Sequence, residues 1–266
     1  MESMISRILI LTLLTASLSG CVSYHASTDT LGDLLQLNSK STGVSGTDIN
    51  SFRIQALQDT ALTVGAQGGL YSRSIEINQM LMAESNTLDR IYNFNGLLLP
   101  HNVLPPVLDE GRDTLNLADP DTIRIADRTY AIISQAKFVT TAPNWRDYLW
   151  MNYQKAPIPD KSLLPKSRDE QKAWKKAIKE GWQNGINQAN VIFSENTSRL
   201  TRDYNGMLLY NKLLSQHMVS APYVATTNMG VTGGGASMNV NDQVLRITAL
   251  PALLPNSEDW TPNITQ

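Results

Sequence analysis

The sequence predicts an α+β fold: long amphipathic helices packed with a small antiparallel β-sheet, after a flexible N-terminal tether. Three observations carry that expectation. From Phe52 to about Met82, apolar or small residues (Ile54, Leu57, Ala61, Val64, Gly68, Tyr71, Ile75) recur every three or four positions, the period of one helix face. From Ser167 to about Gln216 there is no proline, and the stretch opens on Ser167-Arg168-Asp169-Glu170, the S-x-x-E pattern of a capping box. Around 121–140 and 222–250, β-branched alternation is punctuated by glycine, asparagine and aspartate.

The chain has 266 residues, 17 % of them charged, with a formal net charge of −2. That length can bury a substantial core, and that balance lacks the basic stripe by which nucleic acid is gripped, so no direct nucleic-acid binding is expected. One cysteine, Cys21, excludes an internal disulfide.

The N-terminus explains that cysteine. Arg7 and the terminal amine precede an apolar run, Ile8 to Leu14, and small residues follow, ending in Leu18-Ser19-Gly20-Cys21. This is the layout of an export signal, and the run is shorter than the ~20 residues a transmembrane helix needs. Leu18-Ser19-Gly20-Cys21 resembles the bacterial lipobox, in which the thiolate takes a diacylglycerol and the chain is cut just before it. Residues 1–20 are therefore expected to be a lipoprotein signal peptide, with Leu18, Ser19 and Gly20 as its cleavage motif and Cys21 as the lipidated residue. One acyl chain anchors only marginally, at ~0.8 kcal/mol per buried methylene; the several chains of a mature lipoprotein anchor permanently. Residue 22 is Val, not the Asp that commonly retains such proteins at the inner membrane. The expected location is the outer membrane, facing the periplasm. Residues 21–50, rich in Ser, Thr, Gly and Asp, form the tether, with room for one short helix at Leu31 to Leu37. Residues 51–266 are expected to form a single α+β domain.

Within that domain, Ser51 or Asp48 offers a cap for the first long helix, and Asn93-Phe94-Asn95-Gly96 breaks the helical pattern. Leu97 to Leu108 carries Pro100, Pro105 and Pro106 and is expected as an extended, partly buried connector. "TIRIA" and "TYAII" predict a hairpin turning at Asp127-Arg128, with "KFVTT" as a possible third strand. Trp145, Tyr148, Trp150 and Tyr153 crowd into ten residues, as core or as interface. An unbroken helix from Ser167 to Gln216 would be ~70 Å long, so a kink, at Gly206 first of all, or a rod-like role is expected. Two or three strands joined by tight turns, with Gly233-Gly234-Gly235 and Asn241-Asp242 as the punctuation, should follow.

The apparent chemical motifs are weak. "GAQGG" (65–69) lacks the Lys and Ser/Thr of a phosphate loop and follows helical residues rather than a strand. "GVTGGG" (230–235) fits a hairpin tip better than an anion cradle, and "GVSG" (43–46) is followed by Thr47 rather than the Gly of a nucleophile elbow. His25, His101 and His217 have no metal-ligand spacing, Asp109-Glu110 beside Gly111 fits a solvated turn, and neither cofactor nor metal is implied. No catalytic residue stands out, so no enzyme activity is expected. The small residues suggest packing instead. Ala61, Gly65 and Gly69 on the first long helix, and Ala177, Gly181, Gly185 and Ala189 on the second, are each spaced by four. Glycine costs a helix interior about 1 kcal/mol against alanine, and close approach of another helix is a reason to bear that cost.

Long segments resemble the DotC family of type IVB secretion (Dot/Icm) and IncI-type conjugation systems. They are "FRIQALQDTALTVGAQGGLYSRSIEINQML", "FNGLLLPHNVLPPVLDEGRDTLNLADPDTIRIADRTYAI", "FVTTAPNWRDYLWM", "KEGWQNGINQANVIF", "RDYNGMLLYNKLL" and "GVTGGGASMNVNDQVLRITALP", running in order from about Phe52 to Pro251. The resemblance implies a non-catalytic outer-membrane lipoprotein, lipidated at Cys21. It implies assembly with a DotD-like lipoprotein and a DotH-like protein in a ring-shaped core complex, and help in localising the DotH-like component. Two other readings compete: a lipid-anchored cell-wall hydrolase, which would need a cleft with convergent carboxylates or a His-paired nucleophile, and a ligand-binding lipoprotein, which would favour alternating βα units.

Overall fold

A computed structural model describes residues 30–39 and 51–261. Its helices are α1 (Leu31–Gln36), α2 (Ser51–Ala83), α3 (Ser85–Ile91), α4 (Trp145–Leu149) and α5 (Arg168–Ser215). The strands are β1 (Val103–Leu104), β2 (Val107–Asp119), β3 (Thr122–Ser134), β4 (Lys137–Phe138), β5 (Tyr223–Gly234) and β6 (Ser237–Ala249). The class is α+β.

The frame is a pair of long helices, 33 residues in α2 and 48 in α5, or about 50 Å and 70 Å at 1.5 Å per residue. They run parallel. Arg53 meets Glu170 and Arg73 meets Asn190, both contacts separated by 117 residues. A parallel pair needs a return crossover, and residues 84–167 supply it together with β1 to β4. The capping box of α5 is formed: the Ser167 hydroxyl accepts from the Glu170 amide, and the Glu170 carboxylate accepts from the Ser167 amide.

Buried side chains form three clusters along α5. Leu34, Leu57, Ala61, Trp174 and Ile178 lie near its start. Ile77, Leu81, Phe94, Trp145, Leu200 and Met207 fill the middle, and Leu108, Tyr210, Leu213 and Val219 the end.

Several expectations are corrected. α5 does not break at Gly206. A Cβ there would lie 2.5 Å from Val107 Cγ1 and 2.6 Å from the Leu108 oxygen, so this glycine seats the root of β2 on an unbroken helix. The hairpin does not turn at Asp127-Arg128, which lie inside β3. β3 pairs with β2 through contacts such as Leu115 with Ile125 and Leu117 with Ile123, and the reversal falls at Pro120-Asp121, where proline cannot extend a ladder. The connector expected over Leu97 to Leu108 holds β1 and the first residues of β2, with Pro105 and Pro106 between them. Asp109, Glu110 and Gly111 are strand residues rather than a turn. Lys137–Phe138 pairs with β1, not with the hairpin. Instead of one sheet, the described residues form three two-stranded ones. The tail forms two strands, β5 and β6, meeting at the glycine-rich turn, and Asn241-Asp242 lie inside β6 rather than at a second turn. Within the stretch expected as a tether, α1 is capped by Thr30 and packed against the helices, with Leu34 completely buried.

Candidate functional site: a glycine seam with an aromatic shoulder

The two small-residue strips face each other. A Cβ on Gly65 would fall 2.5 Å from the Ile178 oxygen, and one on Gly69 would run into the Trp182 carbonyl. From the other side, a Cβ on Gly181 would strike the Leu62 carbonyl, and one on Gly185 the Ala66 carbonyl. Ala61, Ala177 and Ala189 are buried along the same interface. Glycine at four successive contacts lets two backbones approach where any side chain would hold them apart. Gly68, outside the two strips, is equally constrained: a Cβ there would lie 2.6 Å from Leu34 Cδ1 and 3.0 Å from the Trp182 ring.

Polar clamps close the seam at intervals. At its start, Arg53 Nε donates to Glu170 Oε1 at 2.7 Å and Nη1 to the Ser162 carbonyl at 2.9 Å. Glu170, 5 % exposed, also accepts from the Lys166 amide at 2.7 Å. Burial raises the Glu170 carboxyl, but the Arg53 hydrogen bond, the Lys166 amide, the Arg53 charge and the Ser167 amide together outweigh it and hold the pKa below its ordinary 4.5. Further along, the buried amide of Asn78 donates to the Met151 carbonyl at 2.7 Å and accepts from the Met151 amide at 3.1 Å. It pins the crossover loop to α2. Nothing in the sequence pattern singled out Asn78.

The aromatic cluster divides. Trp145 is fully buried and donates from Nε1 to Asp89 at 2.6 Å, while Arg146 reaches the same oxygen at 3.0 Å. The Trp145 hydrogen bond, joined by the Arg146 hydrogen bond and charge, outweighs desolvation and holds the Asp89 carboxyl below its ordinary range. Tyr148 stacks on Phe94 with centroids 5.9 Å apart and donates to Asp203 at 3.2 Å. Burial, then the Asp203 charge, pushes its phenol up to about 12. Tyr153 packs on the same core, whereas Trp150 is exposed. The cluster is mainly core and ties the crossover to α5.

The docked N-terminal segment forms the third part. Trp174 Nε1 donates to the Leu34 carbonyl and Gln171 Nε2 to the Leu35 carbonyl, both at 3.0 Å. The Ser39 amide donates to the Pro165 carbonyl at 3.2 Å. Residues 30–39 are thereby fixed to the start of α5. Leu18, Ser19, Gly20, Cys21, His25 and Gly43 to Gly46 lie outside the described residues.

The histidines are far from one another in the chain and both described ones are exposed. His217 Nδ1 lies 2.7 Å from Thr261 Oγ1, and His101 lines a hollow of about 310 Å³ with Leu99, Leu214 and Val224. A larger hollow of about 600 Å³ beside α5 is lined by Asp109, Glu110, Ser198, Thr201 and Arg202, with no histidine. Glu110 is engaged there by Arg112 at 3.3 Å and Arg128 at 3.6 Å. Among the described residues no group of three His, Cys, Asp or Glu is placed to hold a metal, and no helix is long and apolar enough to cross a membrane.

Compared with known proteins, residues 51–262 match the family model T4SS_TraI, described as type IV secretory system, conjugal DNA-protein transfer. That span covers both long helices, the crossover and both long hairpins. A comparison with curated proteins gives no match.

Proposed function

The chain belongs to the T4SS_TraI family of conjugal type IV secretion, and from that membership we propose that it is a structural component of the transfer apparatus, held to the outer membrane by a lipid on Cys21. In this reading it takes no part in covalent chemistry. It assembles with a DotD-like lipoprotein and a DotH-like protein in the outer-envelope core complex and helps bring the DotH-like component to the membrane.

The observation that supports this most is the division of labour along α5. The segment that follows Cys21 is fastened at the start of the helix, at Trp174. Both long hairpins are rooted near its other end, around Tyr210, 36 residues or about 54 Å further on. Nine residue steps lead from Cys21 to Thr30, a reach of about 30 Å when fully extended. An acylated Cys21 would therefore hold the start of the rod close to the bilayer and leave the hairpin end to meet other components. A seam made of glycine backbones is a stiff strut for that purpose.

Replacing Cys21 with Ser tests the proposal. It should release the protein from the outer-membrane fraction, leave the DotH-like component mislocalised and lower conjugal transfer. Normal fractionation and transfer would contradict it. The competing hydrolase reading is separated by muralytic assays beside His101→Ala and His217→Ala: activity lost in either variant would favour it over the strut.

A further inference from the structure

The two long hairpins are unfinished. Each is a two-stranded ribbon, β2 with β3 and β5 with β6, pairing with no further strand among the described residues, and an isolated two-stranded ribbon is marginal in water. In the first, Leu115 faces Ile125 and Leu117 faces Ile123, so the four share one side; they are 60–73 % exposed. Asn116 and Arg124 occupy the other side. In the second, Val231 faces Val240, and Met238 stands opposite Gly233 on the same side; Val231, Met238 and Val240 are 62–69 % exposed. Thr232 and Asn239 form the reverse side. Contiguous apolar surface of this kind marks an interaction site.

The edges lack two of the usual protections, although β2 carries charged residues and both ladders are bulged. Exposed edge strands are normally blunted with lysine or proline, yet these four strands contain neither; Pro120 lies in the turn. Both ribbons spring from one place. Gln135, just past β3, donates to the carbonyl of Pro251, just past β6, and Tyr130 on β3 lines one hollow with Leu253. The β3 and β6 sides thus adjoin at the root, leaving β5 and, beyond its start at Val107 and Leu108 where it is packed on α5, β2 as the outer edges.

We propose that these outer edges are the contact between copies of this chain: β2 of one copy adds to β5 of the next, continuing the sheet from molecule to molecule. The match of the two edges points to a second copy. The strands are 13 and 12 residues long, and pairing them would bring the apolar stripes of both ribbons into line. Charge disfavours one of the like-with-like pairings. β2 carries Asp109, Glu110, Asp113 and Asp119 against one Arg112, so β2 against β2 sets acid beside acid, whereas β5 has no charged residue. One edge of each kind per copy makes the contact head-to-tail, which closes into a ring when the rotation permits. The proposal deepens the structural reading above and rests on it, but it is measured on purified protein. A failure here leaves the Cys21 experiment unaffected, and the reverse also holds.

The experiment is light-scattering mass measurement on the full chain in detergent, beside two variants. In one, residues 112–128 are replaced by an Asn-Gly turn; in the other, residues 228–243 are. Circular dichroism checks that the helices remain. The full chain should form assemblies larger than a dimer, and each variant alone should be monomeric. The two variants mixed should give a species of two chains, since one keeps β5 and the other β2. Should a shortened chain lose helicity, the paired substitutions Leu115→Lys with Ile125→Lys, and Val231→Lys with Val240→Lys, take its place with the same expected loss. A full chain that stays monomeric at high concentration, or assemblies that survive both variants, would overturn the proposal. So would a monomeric full chain that floats with phosphatidylethanolamine–phosphatidylglycerol vesicles through its ribbons, since a bilayer rather than a second copy would then cover them.

Discussion

Gly181 and Gly185 show how far one hydrogen atom in place of a methyl decides this structure. Alanine at Gly181 would gain about 1 kcal/mol in helix propensity but drive a methyl into the Leu62 carbonyl. Because that obstacle is backbone, the helices must part. Gly181→Ala is expected to lose about 1–3 kcal/mol in denaturant unfolding despite its better propensity; a gain would mean the seam is looser than the geometry shows. Glu170 permits a sharper test through pH. Its folded pKa lies below 4.5, so its contribution is fully present above about pH 4.5 and is lost as pH falls through the folded value. Glu170→Gln should cost about 2–3 kcal/mol at neutral pH, and the difference from the parent should shrink as pH falls below the ordinary 4.5. A difference that stays constant with pH would exclude the Arg53–Glu170 pair as its source.

Among the elements, α1 and the first hairpin depend on contacts that no local pattern announces. Leu34 is completely buried between α2 and α5, and Leu34→Ala should cost about 2–5 kcal/mol in thermal or denaturant unfolding; a freely moving tether would show no loss. Gly206→Val should leave α5 helical yet push β2 off it, seen as faster amide exchange at residues 107–110, where Val107 and Leu108 pack on that glycine. The two long helices were legible in the sequence because their apolar and small residues keep helical spacing over many turns, and the capping box marked where α5 begins. The partner of β3 was hidden. Asp109-Glu110-Gly111 has turn-like composition, Asp127-Arg128 interrupts an apolar alternation, and a ribbon open on both faces shows no buried side to fix its register. The kink assigned to Gly206 failed for a related reason: a glycine in a helix can mark close approach as readily as a break, and only the strand lying across it tells the two apart.

For the whole molecule, the small-residue strips could be read from spacing, but not the parallel direction of the pair, which rests on contacts 117 residues apart. Nor could Asn78, a buried polar anchor whose value lies entirely in the loop it holds. What emerges is a strut: a rod stiffened by backbone-to-backbone contact, fastened near its start by the segment after Cys21 and open at its far end through two ribbons. The most direct measurement is purification of the full chain from detergent-solubilised envelopes, with mass spectrometry of Cys21 and of everything that co-elutes. The account predicts an acylated Cys21 at the head of the mature chain and co-elution in a large assembly with other conjugal secretion components. An unmodified, freely soluble monomer would contradict it.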